Sequence, residues 1–274
     1  MSWTWCNGEF IDGPLAVSPA DRGLTHGLGV FDTLLAIDGR PVALEMHLER
    51  MRTGVERLGW LAKDLRTVRM EEAIAGLLKR EELENGRARV RIAMTAGPGD
   101  LRTLDRGRNP LVWITASVAP PPPESIALVT APFPRNEASP LAGIKCASYA
   151  ENLVALDYAR RNAADEALFY NTKGELCEGT TSNVFLVKHG KVFTPPLSSG
   201  CLPGTMRARV IVRCRELGIP LVEDVLTEAD VKGAKEVFVT SSTRGVVAVR
   251  KVDGNPVHAC PGEIALRLKG EGNR

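Results

Sequence analysis

At 274 residues the chain is long enough for one large domain or two ordinary ones, so a sizeable apolar core is within reach. Apolar residues make up 44% and charged residues 25%, and no run approaches the roughly 18 apolar residues a membrane span needs. A net charge of only +2, with both signs interspersed, leaves no electrostatic footprint for nucleic acid. The chain opens on Met1-Ser2-Trp3-Thr4-Trp5-Cys6-Asn7-Gly8, which lacks a basic segment followed by an apolar stretch, so no secretory signal is expected and the cytoplasm is the expected compartment. Strand-like residues from Trp3 to Phe10 surround the turn Asn7-Gly8, and a Gly-rich passage, Asp21 to Gly29, follows. Val30 to Ile37 reads as a strand closed by the hairpin signal Asp38-Gly39.

Leu44, Leu48, Met51, Val55 and Leu58 recur every three or four residues and predict an amphipathic helix, with His47, Arg50 and Gly54 along one edge. A second helix is predicted over Val68 to Leu83, and strands over Arg89 to Thr95 and Leu111 to Val118. The prolines 120–123 remove amide donors and stiffen the chain, so 120–124 is read as a linker between a domain at 1–119 and another at 125–274. In the second domain a helix is predicted over Tyr149 to Asn162. Strands follow over Glu166 to Tyr170, Glu175 to Glu178, Asn183 to Lys188 and Val192 to Thr194, read as one continuing meander. Gly204 precedes a helix with Met206, Val210, Cys214 and Leu217 on one stripe. A strand from Glu236 to Thr240 ends in Thr240-Ser241-Ser242-Thr243, and a terminal helix is predicted over Pro261 to Lys269. The alternation has no barrel-enzyme or doubly wound period, so the expected class is α+β.

Six cysteines are scattered without Cys-x-x-Cys spacing, which speaks against zinc and against a disulfide framework. No Gly-x-Gly-x-x-Gly or Gly-x-x-x-x-Gly-Lys motif supports a nucleotide cofactor. Two other segments carry more chemistry. Lys145, in Gly143-Ile144-Lys145-Cys146, stands just before a predicted helix, and Glu178, in Glu178-Gly179-Thr180-Thr181-Ser182-Asn183, ends a predicted strand. A lysine so placed can form a Schiff base with a carbonyl cofactor, and a carboxylate can hold a pyridine nitrogen protonated. Taken singly, the lysine is more often a solvated surface charge, and the segment from Glu178 reads equally as a hairpin rich in hydroxyls. The helix entrance Leu202-Pro203-Gly204-Thr205, with Ser242 at a strand end and the Arg50 guanidinium, suits a phosphate. His26 and His47 have no sequence-adjacent carboxylate or serine and read as structural.

These segments, in this order, resemble the class IV aminotransferases, the fold type IV pyridoxal-phosphate enzymes that include D-amino-acid and branched-chain aminotransferases and aminodeoxychorismate lyase. The segments are Asp21-Arg22-Gly23-Leu24-Thr25-His26-Gly27 with Gly29-Val30-Phe31-Asp32, His47-Leu48-Glu49-Arg50-Met51, Gly143-Ile144-Lys145, and Glu178 to Phe185. The resemblance implies a small N-terminal α/β sandwich and a larger C-terminal domain with a barrel-like sheet. It implies pyridoxal 5'-phosphate as cofactor, Lys145 as Schiff-base lysine and proton shuttle, and Glu178 as partner of the ring nitrogen. Arg50, the amides of Thr205 and Met206 and the Ser242 hydroxyl are the implied phosphate ligands, with Leu202 packed on a ring face. Met206 stands where relatives often carry a hydroxyl. A homodimer with active sites near the subunit interface is also implied.

Substrate residues depart from the family patterns. Phe31 replaces the tyrosine of D-amino-acid enzymes, their Arg-x-His trap is missing from Thr95 to Asp100, and the Arg-Pro of branched-chain enzymes is absent from the same strand. Arg102 is a candidate substitute carboxylate contact. The expected activity is transamination between an amino acid and a 2-oxo acid, with D-amino acids slightly ahead of branched-chain L-amino acids. The alternatives are aminodeoxychorismate lyase and, more distantly, a non-catalytic binding protein of the same fold.

Overall fold

Alternating burial along two long strands builds the first half of the molecule. The computed structural model describes residues 2–60, 65–100 and 109–269, and they form two compact units, Met1–Pro121 with Ile144–Ser148, and Pro122–Gly143 with Tyr149–Arg274. In the first unit, β1 (Trp3–Cys6), β2 (Glu9–Asp12), β3 (Gly29–Ile37), β4 (Arg40–Pro41), β5 (Arg87–Thr95) and β6 (Leu111–Val118) make one sheet in the order β2-β1-β6-β5-β3-β4. The pairings of β3 with β5 and of β5 with β6 are antiparallel. Strand β5 buries Ala88, Val90 and Ile92 while Arg89 and Arg91 point outward, the period-two pattern of a sheet with one covered face.

Helices α2 (Leu44–Arg57) and α3 (Thr67–Arg80) supply the cover. Leu44, Leu48, Met51 and Val55 from α2 join Met70, Ile74 and Leu77 from α3 in a core with Leu34, Val90 and Ile92. The Gly-rich passage contains a short helix, α1 (Arg22–His26), that the glycines hid from sequence reading. Its N-cap is Asp21, whose Oδ1 accepts from Gly23 N at 2.7 Å and whose Oδ2 accepts from Thr95 Oγ1 at 2.7 Å. A cap anchored to a strand offsets the poor helix propensity of Gly23.

In the second unit β7 (Ser125–Thr130), α4 (Ala150–Arg161), β8 (Glu166–Tyr170), β9 (Leu176–Gly179), β10 (Asn183–Lys188) and β11 (Lys191–Thr194) are followed by α5 (Thr205–Glu216) and β12 (Leu221–Glu223). Then come α6 (Glu228–Lys232), β13 (Glu236–Ser241), β14 (Gly245–Val252), β15 (Asn255–Pro256) and α7 (Glu263–Lys269). The nine-stranded sheet runs β12-β11-β10-β13-β14-β7-β8-β9, with β15 on β14.

The expected continuous meander therefore breaks. Among the described residues strand β9 pairs with β8 alone, whereas β10 pairs with β11 and β13. Yet a turn of three residues joins β9 to β10, and Gly179 N donates to Ser182 O at 2.7 Å. Strands adjacent in the chain but far apart in sheet order can meet only if the sheet curls, which gives the barrel-like shape. One face packs Leu168, Leu186, Val237 and Val249 with α6 residue Val231. The other packs Phe185 and Phe238, stacked with centroids 4.9 Å apart, under Met206 and Val210 of α5 and Ile264 of α7.

Candidate active site

In the first unit the segment around Lys145 lies along the start of β3. Phe31 N donates to Lys145 O at 3.0 Å and Ala147 N donates to Gly29 O at 2.7 Å, with a bridge between Val30 and Cys146. Gly54 on α2 permits this approach, since a Cβ there would stand 3.2 Å from Ile144 Cγ2 and 3.4 Å from Val30 Cγ1. Lys145 is thereby set above Phe31, its Nζ 4.5 Å from the ring centroid. The Arg91 guanidinium lies 3.9 Å from the same centroid. Two cations thus lie against one aromatic ring, and the ring quadrupole favours each of them.

Next to Phe31, Asp32 is fully buried. Arg50 grips it bidentately, Nε to Oδ2 at 2.9 Å and Nη2 to Oδ1 at 2.8 Å, while His47 Nδ1 meets Oδ1 at 2.9 Å. Burial pushes the Asp32 carboxyl up, but the Arg50 charge and the His47 hydrogen bond outweigh it and hold the group well below the usual carboxylate range. The sequence offered His47 no neighbouring carboxylate in a recognisable arrangement; the fold supplies Asp32. Asp32 lies fifteen positions away in sequence, and only the packing of α2 on β3 joins them.

The second unit brings together Glu178, Leu202, Thr205 and Ser242. Leu202 N donates to Glu178 Oε2 at 2.9 Å, and Leu202 O accepts from Asn183 Nδ2 at 2.8 Å. Glu178 Oε1 lies 3.6 Å from Arg135 Nη2. Thr205 Oγ1 and Ser242 Oγ are 3.0 Å apart at the start of α5, whose N-cap is Gly204 and which no side chain caps among the described residues. Met206 faces the other way, buried among Phe185, Val210 and Phe238; any part it takes at the helix entrance falls to its amide.

Below the turn after Glu178, the buried Glu166 carboxylate accepts from Thr181 N, Thr180 Oγ1 and Ser182 Oγ at 3.0, 3.2 and 2.9 Å and pairs with Arg244. Arg244 follows Ser242 by two residues, so one ion pair ties both loops to β8.

Gly204 is the tight point of this half. A Cβ there would fall 1.9 Å from Asn183 Oδ1, against the amide that holds Leu202. Gly204→Ala is expected to cost about 1–3 kcal/mol in urea unfolding through this overpacking. An unchanged midpoint would mean that the loop moves aside freely.

Of the sequence candidates, Phe31, Lys145 and Arg50 thus gather in the first unit, and Glu178, Leu202, Thr205 and Ser242 in the second. Arg102 lies outside the described residues. Sequence reading missed Arg91, Asp32 and Arg135. Arg91 was findable as an outward residue two positions along from Arg89 on an alternating strand. Nothing in the sequence pointed to Arg135. Each half fits a phosphorylated pyridine aldehyde on its own geometry: an amine and an arginine in one, and in the other an acceptor carboxylate held from behind by an amide, beside an uncapped helix N-terminus with two hydroxyls.

The family model "Amino-transferase class IV" matches residues 29–252. The chain belongs to the class IV aminotransferases, which are pyridoxal 5'-phosphate enzymes. It is 33% identical to a Methanocaldococcus jannaschii protein provisionally named a branched-chain-amino-acid aminotransferase, over 97% of this chain and 93% of that one. It is 27% identical to the aminodeoxychorismate lyase of Bacillus subtilis, over 97% and 92%. A D-alanine aminotransferase of Staphylococcus epidermidis is likewise 27% identical, over 94% and 91%. Among solved structures, a fold IV transaminase from Curtobacterium pusillum superposes with a TM-score of 0.84 at 28% identity, covering 96% of this chain and 92% of the other.

Proposed function

We propose that the chain is a pyridoxal-phosphate-dependent transaminase that moves an amino group between an amino acid and a 2-oxo acid, with Lys145 as its catalytic residue. The observation that carries this reading is the placement of the Lys145 amine over Phe31 with a second cation, Arg91, on the same ring. An amine there can carry a proton to and from a substrate carbon, while Arg91 offers a guanidinium to the substrate carboxylate. When bound, pyridoxal phosphate supplies the carbonyl that captures an amine and a pyridinium that delocalises carbanion charge. Glu178 would accept a hydrogen bond from the ring nitrogen's N–H, and Leu202 N, donating to its Oε2, fixes the carboxylate for that task. In the second unit Thr205, Ser242 and the first amides of α5 would hold the phosphate and Leu202 would pack on the ring face, and Arg50 is proposed as a further phosphate ligand.

D-amino acids are placed slightly ahead of branched-chain L-amino acids as donors, the Arg-Pro of branched-chain enzymes being absent from the strand Arg87–Thr95. The branched-chain name of the M. jannaschii relative makes the L-series the competing choice. Aminodeoxychorismate lyase is the second reading, favoured by the B. subtilis relative, which spans nearly the whole chain. We expect a homodimer in the cytoplasm.

Single half-reactions with a panel of D- and L-amino acids test the assignment. At least one donor should convert the bound cofactor to its amine form with release of the matching 2-oxo acid. If no donor does so, and aminodeoxychorismate yields 4-aminobenzoate and pyruvate, the lyase reading replaces it. Arg91→Gln is expected to raise KM for the amino donor about tenfold or more with a smaller change in kcat, since a charge-assisted contact is worth about 1.5–3 kcal/mol. Equal KM values would remove Arg91 from substrate binding.

A further inference from the structure

Arg135 is held more firmly than a connecting-segment residue requires. It precedes α4 by fifteen positions, yet its Nη1 pairs with Glu151 on that helix and lies 3.3 Å from Asn152 Oδ1. Its Cζ sits 4.1 Å from the Phe169 ring centroid, and its main-chain N donates to Tyr170 O at 2.8 Å. Only 13% of the side chain is exposed. A guanidinium stacked, ion-paired and largely desolvated in this way is held in place, and its charge is weakly screened.

Its other nitrogen faces the cofactor half-site. Nη2 makes no hydrogen bond among the described residues and lies 3.6 Å from Glu178 Oε1. That separation is too long for a hydrogen bond but short for a Coulomb interaction. The positive charge of Arg135 is therefore felt directly by the Glu178 carboxylate. Glu178 Oε2 is occupied by Leu202 N. Two thiols also face the carboxylate. Burial and the Glu178 charge push Cys201 up to about 11 and Cys177 higher still, so both stay neutral. Among the described residues, Glu151 and Glu178 place two carboxylates on the Arg135 guanidinium.

We propose that Arg135 is a positioning residue that competes with the cofactor's ring nitrogen for the Glu178 carboxylate and so sets how firmly that nitrogen keeps its proton. The proposal rests on the assignment of Glu178 to the ring nitrogen made above. A lone carboxylate would hold the pyridinium tightly. One shared with Arg135 holds it less tightly, because the guanidinium offsets part of the negative charge that favours N–H⁺. Glu151 acts in the opposite sense, drawing Arg135 and neutralising part of it. Removing the cation raises the ring nitrogen's deprotonation midpoint; removing the competing carboxylate lowers it.

The test uses the full-length protein loaded with pyridoxal phosphate carrying ¹⁵N at the ring nitrogen, and follows the ¹⁵N shift with pH. In the wild type the midpoint should fall within about pH 6–10. Arg135→Met should move it up by about one pH unit and Glu151→Gln down by a smaller step, whereas Arg135→Lys should restore most of the wild-type value. A role confined to packing would move neither midpoint in opposite directions. Glu151→Gln keeps the stacked arginine, so the test survives if Arg135→Met folds poorly. Midpoints unchanged in both variants, or a wild-type nitrogen protonated across the whole range, overturn the proposal, provided Glu178→Gln does shift the signal. If Glu178→Gln leaves the signal at the wild-type position, the Glu178 assignment itself fails.

Discussion

Lys145→Ala should bind pyridoxal phosphate weakly and turn over at no more than about a thousandth of the wild-type rate. Two losses combine in this variant. A positioned general acid–base contributes about 10²–10⁴-fold to a proton transfer, and the covalent hold on the cofactor carbonyl goes with the same amine. The surrounding geometry should survive, because the segment is held through main-chain bonds between Phe31 N and Lys145 O and between Ala147 N and Gly29 O. The residual affinity comes from groups that do not involve the lysine. Binding is read by equilibrium dialysis and turnover by release of 2-oxo acid. Undiminished turnover would place the chemistry elsewhere, and wild-type affinity would show that the lysine makes no bond to the cofactor.

The largest effect on stability is expected at Asp32. Arg50 and His47 both close on this fully buried carboxylate, and removing one member of a buried ion pair costs about 3–5 kcal/mol. Asp32→Ala should lose stability on that scale in urea unfolding at neutral pH. The pH dependence has a definite sign. The folded carboxyl titrates well below its ordinary value, so its contribution is fully present above the unfolded value of about 3.9 and is lost as pH falls below it. The gap between wild type and Asp32→Ala should therefore close in acid below that value. A gap that persisted undiminished there would contradict the ionised, paired state of Asp32.

The elements written in local periodicity could be read without a structure. Strand boundaries at Glu166–Tyr170, Asn183–Lys188 and Leu111–Val118 agree with the spans expected from β-branched runs and turn residues. The stripe Leu44 to Val55 became the buried face of α2. Capping was less legible: α1 depends on Asp21 reaching Thr95, seventy-four positions away, and glycine content concealed it. The curl of the second sheet was not legible either. A short turn from β9 to β10 has the same sequence signature whether the strands pair or part.

By itself, the sequence determined the family and the reactive residue types. A lysine before a helix, a glutamate ending a strand and a glycine before a helix are local features, because strand period, helix entrance and turn chemistry depend on neighbours a few residues apart. Tertiary structure alone decided what surrounds each of them. Asp32 under Arg50 and His47, Arg91 and Lys145 each on the Phe31 ring, and Arg135 behind Glu178 are contacts between residues 15 to 114 positions apart. Charge acts through space at 3–4 Å. Which charges lie that close is settled by the packing of helices on sheets, and no local pattern records it.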